Sequence, residues 1–143
     1  MLRWDGYNGF LLALCIWREA RGQGYNGMFA VACSIRNRVL RPAWWGRSYA
    51  ECITKKWQYS SVAAPGDPQL TRFPARQTDE GFDIAILAAN DAISGKPSPA
   101  NGADSYYDDS IPAPKWATPS TFVTKLGRLN FHDLDQDYET HRS

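Results

Sequence analysis

The sequence has only three cysteines, an odd number that excludes a complete disulfide framework. Cys15 and Cys33 fall in apolar stretches of helical pattern, where a thiol serves as a small core side chain. Free thiols suit a chain made in a reducing cytosol. Histidine is scarcer still, at two, and neither C-x-x-C nor H-E-x-x-H spacing occurs, so no zinc site is indicated and no cofactor is expected. Long apolar runs are missing too. Nothing approaches the roughly 20 residues of a membrane span. Phe10 to Trp17 is too short for a secretory leader, Asp5 spoils its basic lead, and Trp17-Arg18-Glu19 is no small-residue cleavage site. A leaderless chain without stable membrane association is therefore expected. Nor is there an excess of one charge: the net of +1 argues against a nucleic-acid partner. Residues 1–76 carry +7 and residues 77–143 carry −6. The basic half suits an anionic polymer, but mixing of the two halves on one folded surface is the better explanation of the split.

What is present fits one domain, 1–143, with a core over about 9–131 and a polar tail over 132–143. Asn8 can cap a helix from about Gly9 to Arg21, closed by Gly22 and Gly24. Asn26 can cap a second from Gly27 to about Leu40, stopped by Pro42. Ser48-Tyr49-Ala50-Glu51 is a capping box opening a short helix through about Trp57. Residues 58–77, with Pro65-Gly66-Asp67-Pro68, read as a long irregular loop. Thr78 can cap a helix through about Ser94, closed by Gly95 and Pro97. Ser105-Tyr106-Tyr107 and Thr121 to Leu126 have strand composition, and the tail from His132 reads as frayed. The fold class is α+β: mostly helical, with a small strand- and loop-rich C-terminal part.

Leu12, Cys15, Ile16 and Glu19 lie at i, i+3, i+4, i+7, a single helical stripe on which Glu19 extends an apolar face. Glu19 also sits in the last turn, where the helix dipole disfavours a carboxylate. Partial burial and that dipole both favour the protonated form, as a general acid near neutral pH requires. On spacing alone a structural ion pair with Arg18, Arg21 or another arginine is the stronger reading of Glu19. The chain is also rich in rings, with 6 Trp and 7 Tyr, which fill cores and make platforms for sugars.

Glu19-Ala20-Arg21-Gly22, then Gly27-Met28-Phe29-Ala30-Val31-Ala32, then Asn37-Arg38-Val39 follow one another in order. Gln58-Tyr59-Ser60, Gly102-Ala103, Tyr106-Tyr107, Pro114, Trp116, Leu126-Gly127 and Phe131 come after. This succession resembles the cell-wall hydrolase family of spore-cortex-lytic enzymes, which shows E-A-R-G, G-x-x-A-V-A, N-R-V, Q-F-S and G-A…Y…P-x-W in the same order. The resemblance runs from about Leu11 to Phe131. It implies a lysozyme-like domain that cleaves peptidoglycan glycan strands between MurNAc and GlcNAc as a lytic transglycosylase, with Glu19 as its catalytic residue. One glutamate would protonate the bridging oxygen and then take the proton of the sugar's 6-hydroxyl, closing a 1,6-anhydro ring. By matching motif, Gln58, Tyr59, Ser60, Tyr106 and Tyr107 would line the cleft, and Trp116 would either stack on a sugar or pack in the core. Asn37-Arg38 would hold the fold together. The closing stretch departs from the family's I-G-x-H-x-F-Y: Leu129 stands where the histidine would be and His132 where the tyrosine would be, so no role is carried over to either.

Other readings stay open. A hydrolysing muramidase would need a second carboxylate, set about 5 to 9.5 Å from the first, for which Asp104, Asp108 and Asp109 are the candidates. A cysteine peptidase would need Cys52, with a lowered pKa, beside His132. A non-catalytic wall-sugar-binding module would bind fragments and release nothing. The expected partner is the peptidoglycan glycan strand and the expected state a monomer. The expected route is synthesis in the cytoplasm and action on the bacterial wall, after release through a phage-encoded pore as for an endolysin.

Overall fold

A computed structural model describes residues 6–41, 45–55, 59, 67, 69, 73–74 and 81–135. Gln58, Ser60 and the expected helix cap at Thr78 lie outside these residues. Among the described residues the order is helix α1 (Gly6–Ala20), a 3₁₀ turn (Arg21–Gln23), α2 (Gly24–Leu40), α3 (Tyr49–Thr54) and α4 (Phe82–Ile93). Strands β1 (Ser105–Asp108), β2 (Phe122–Leu126) and β3 (Leu129–His132) follow. None of the described helices is long and apolar enough to cross a membrane.

α1 packs on α2, α3 and α4, and α2 packs on α3 and α4. Leu12, Cys15 and Ile16, the apolar part of the Glu19 stripe, are all wholly buried. Leu12 and Ile16 each contribute about 1.5–3 kcal/mol through burial. Along α4, Ala85, Ala88, Ala89 and Ala92 form the buried stripe, their small side chains letting α1 and α2 approach closely. Trp17 meets Phe82 edge to face at 5.9 Å.

The two asparagines expected to cap helices do neither. α1 begins at Gly6, and Asn8 Oδ1 accepts from the Ala50 amide at 2.8 Å, tying α1 to α3. α2 begins at Gly24, whose φ of +71° allows the sharp exit from the 3₁₀ turn, so Asn26 lies inside the helix. Ser48 does cap α3, its Oγ accepting from the Glu51 amide at 3.1 Å, but the helix ends at Thr54 because Lys55 turns extended.

The strands form an antiparallel sheet in the order β1-β3-β2, with β3 central. Ser105, His132 and Phe122 share one cross-strand row, and Tyr106, Phe131 and Thr124 the next, with an irregularity between Phe122 and Thr124. β3 was not expected from sequence. All four of its residues are buried, so both faces are covered and no alternation betrays it. His132, expected to open a frayed tail, instead ends the central strand. The chain stays anchored beyond it: the amides of Leu134 and Asp135 donate to the Asp104 carboxylate at 2.9 and 3.0 Å.

Candidate active site

A cavity of about 560 Å³ opens where the end of α1 faces the edge strand β1. Glu19, Arg38, Trp45, Tyr59, all of β1, Ile111, Pro114, Trp116, Leu129 and Leu134 line it. Of the residues expected to form a site, the structure brings Glu19, Tyr59, Tyr106, Tyr107 and Trp116 together around this one space.

Glu19 is half-buried, and Tyr106 Oη donates to its Oε1 at 2.5 Å. Burial and the neighbouring Glu19 charge hold the Tyr106 phenol well above its ordinary pKa, so Tyr106 stays protonated and remains a donor. Among the described residues Glu19 makes no ion pair with an arginine, the pairing that spacing alone favoured. The Arg18 guanidinium lies over the Phe73 ring at 4.7 Å. Arg21 lies over Trp17 at 4.6 Å and donates to Gln69 Oε1 at 3.0 Å. The carboxylate therefore faces the cavity with a phenol rather than a cation as its hydrogen-bond partner.

Tyr59 is buried, and its hydroxyl has no hydrogen-bond partner among the described residues. A buried orphan hydroxyl is costly unless something else satisfies it, and here it belongs to a residue of the cavity wall. Arg38 does more than hold the fold. Its Nε donates to Asp104 O at 2.6 Å, its guanidinium lies 4.1 Å over Trp45 and 5.1 Å over Tyr59, and it lines the cavity. Asn37 is structural as expected, donating to Ala103 O at 2.8 Å. Trp45 and Leu134 were not singled out from sequence, and Leu129 was noted only as a departure from the family's closing motif. Leu134 could not have been, since it lies in a stretch read as tail.

The three further carboxylates separate cleanly. Asp104 is fully buried and committed to Leu134 N, Asp135 N, Ser105 Oγ and Arg41 Nη1. Asp109 is paired with Lys125 Nζ at 2.8 Å and with Asn130, which hold its carboxyl below the ordinary range. Only Asp108 lines the cavity, with Oδ1 taken by Arg128 and by the Ser110 amide. Cys52 does not suit a nucleophile: it is wholly buried, and burial pushes its thiol up to about 11, opposite to the shift a thiolate needs. Trp116 is no core tryptophan, being 36% exposed. Among the described residues no group of three or more His, Cys, Asp or Glu side chains is placed to hold a metal.

An α-helical body packed on a small antiparallel sheet, with a half-buried glutamate in the cavity between them, defines an α+β domain with one candidate acid–base site. The chain belongs to the cell wall hydrolase family, whose sequence profile matches residues 22–132. The match begins just past Glu19. The spore cortex-lytic enzyme of Halalkalibacterium halodurans is 29% identical over 121 residues, covering 85% of this chain and 33% of that protein. The chain thus spans about a third of the length of that curated relative. Two solved structures have the same fold. The catalytic domain of SleB from Bacillus cereus superposes with a TM-score of 0.73 at 26% identity, over 93% of this chain and 94% of that one. The catalytic domain of the germination-specific lytic transglycosylase SleB from Bacillus anthracis gives 0.72 at 25% identity, over 91% and 97%.

Proposed function

We propose that this chain cleaves peptidoglycan glycan strands between MurNAc and GlcNAc as a lytic transglycosylase, with Glu19 acting first as acid and then as base. The observation that carries the reading is the Glu19–Tyr106 pair at the wall of the cavity, where the carboxylate has a phenol as its hydrogen-bond partner. In the first step the Glu19 carboxyl gives its proton to the bridging oxygen and the bond from that oxygen to C1 of MurNAc breaks. In the second, the 6-hydroxyl of the same MurNAc adds to C1 while the Glu19 carboxylate takes the hydroxyl proton. A 1,6-anhydro ring closes, the acid is regenerated and no water is consumed. Tyr106, always a donor, orients the carboxylate through both steps. Tyr59, Tyr107 and Trp116 contact the sugars; Gln58 and Ser60 join them on the strength of their motif alone.

One observation favours a second reading. Asp108 lines the same cavity, so a hydrolysing muramidase would use Asp108 to activate water. Mass spectrometry of purified peptidoglycan digested with the parent chain and with Glu19→Gln decides. Anhydro-muramoyl ends from the parent, reduced about 100- to 10,000-fold in the variant, support transglycosylation. Reducing ends instead select the hydrolase. Binding without soluble products from the parent would leave only a sugar-binding module.

A further inference from the structure

The two tyrosines of β1 point to opposite faces, as successive strand residues must. Tyr106 is paired with Phe131 across the sheet, and its hydroxyl meets Glu19. Tyr107 stands on the other face, the one that carries His132 and Phe122. That face bears a continuous cluster of rings. His132 is buried at its centre, its Nδ1 sharing a hydrogen bond with Thr121 Oγ1 at 2.8 Å. Tyr107 lies 5.9 Å from the imidazole, Trp116 5.5 Å and Phe122 5.6 Å, the last two edge to face.

The cluster begins in the cavity and leaves it. Tyr107 and Trp116 line the cavity, whereas Phe122 lies on β2, two strands across from β1, and is 49% exposed. Two inter-strand steps make about 10 Å, the scale of a disaccharide. The covering segment is held in shape: Thr118 Oγ1 bonds Ser120 Oγ at 3.0 Å and Thr121 Oγ1 at 3.3 Å, and Thr121 N donates to Thr118 O at 3.2 Å. Phe122 is thus an exposed ring on a braced support, continuous with the wall of the catalytic cavity. A strand whose scissile bond lies at Glu19 must leave the cavity along one of its walls. The uncharged ring faces of this wall suit neutral pyranose rings better than the carboxylates of a stem peptide.

We infer that Tyr107, Trp116 and Phe122 form a distal glycan subsite, a track that holds the sugars beyond the cleaved bond and makes the chain favour longer strands. The inference rests on the reading of the cavity as a glycan-cleaving site. His132 is its positioning residue, touching all three rings and no sugar.

The test compares binding of a tetrasaccharide and an octasaccharide of alternating GlcNAc and MurNAc by calorimetry, using Glu19→Gln so that neither is consumed. The expected result is about five- to tenfold tighter binding of the longer chain. Phe122→Ala in the same background should erase that gain and leave tetrasaccharide affinity unchanged. Phe122→Leu, which keeps bulk against His132 but has no ring face, should erase it as well, while Phe122→Trp should restore it. Equal affinity for both lengths in the Glu19→Gln parent, or a gain that survives both the alanine and leucine changes, would overturn the subsite. Cleavage by the chain with Glu19 intact is scored separately, so failure of the glycosidase reading appears as missing products rather than as missing length dependence.

Discussion

At the scale of single residues, the proposed chemistry rests on which partner Glu19 has. Tyr106→Phe removes the one hydrogen-bond donor to the carboxylate among the described residues while keeping the ring that packs 5.9 Å from Phe131. Turnover of peptidoglycan should fall about 10- to 100-fold, by the one or two tens-fold steps that a hydrogen bond to a charged group is worth. Substrate affinity and melting temperature should change little. Cys52→Ala should leave turnover intact and cost about 1 kcal/mol in denaturant unfolding, since it deletes one buried sulfur and no chemistry. The stripe drew attention to Glu19, and its three apolar residues are all fully buried in the fold, but spacing alone favoured an ion pair and the motif resemblance was needed to point to chemistry at Glu19. What it touches was not legible. The phenol opposite comes from 87 residues away along the chain, on a strand placed by a neighbour with no sequence signature. Arg38 braces the start of β1 as its motif implied, and its place in the cavity wall was not legible for a related reason.

At the scale of elements, the helices were readable and their joints were not. Start and stop signals located α1, α2 and α4, but the asparagines chosen as caps do not cap: Asn8 ties α1 to α3, and Asn26 lies inside α2, which a 3₁₀ turn joins to α1 without a break. That turn carries Gln23, a residue no motif includes. Its Oε1 accepts from the Arg128 amide at 3.1 Å, docking the β2–β3 turn onto the end of the glutamate-bearing helix. Two motif glycines make room for it. A Cβ on Gly27 would lie 2.3 Å from Gln23 Cβ, and one on Gly127 would lie 2.5 Å from Gln23 Oε1. Gly127 also has a φ of +57°. Gly127→Ala should therefore cost about 1–2 kcal/mol in backbone strain plus about 1 kcal/mol for the displaced hydrogen bond. In a Gln23→Ala background the second cost disappears, giving a coupling near 1 kcal/mol in a double-mutant cycle of denaturant melts. Gly27→Ala should show no such relief, since alanine at 23 keeps the colliding Cβ.

At the scale of the whole molecule, a buried carboxylate joins the helical body to the sheet. Asp104 holds Arg41 from the end of α2, Ser105 at the start of β1, and the amides that follow β3. Asp104→Ala would strand those donors and should destabilise the chain by about 3–5 kcal/mol, read from the midpoint of urea unfolding. Acid acts through a different buried group. Burial lowers the His132 pKa below its ordinary 6.5, so between that lowered value and 6.5 the unfolded chain binds more protons than the folded one. His132 therefore subtracts stability as the pH falls below about 6.5. His132→Gln should shrink the loss of melting temperature between about pH 7.5 and pH 5.

Cys15, Cys33 and Cys52 sit one each on α1, α2 and α3, wholly buried, with burial pushing every one of the thiols up. An alkylating reagent can reach a sulfur only after the helix bearing it has swung open. Peptide-resolved mass shifts during slow alkylation of the native chain would thus time the opening of those three helices separately, with no label introduced.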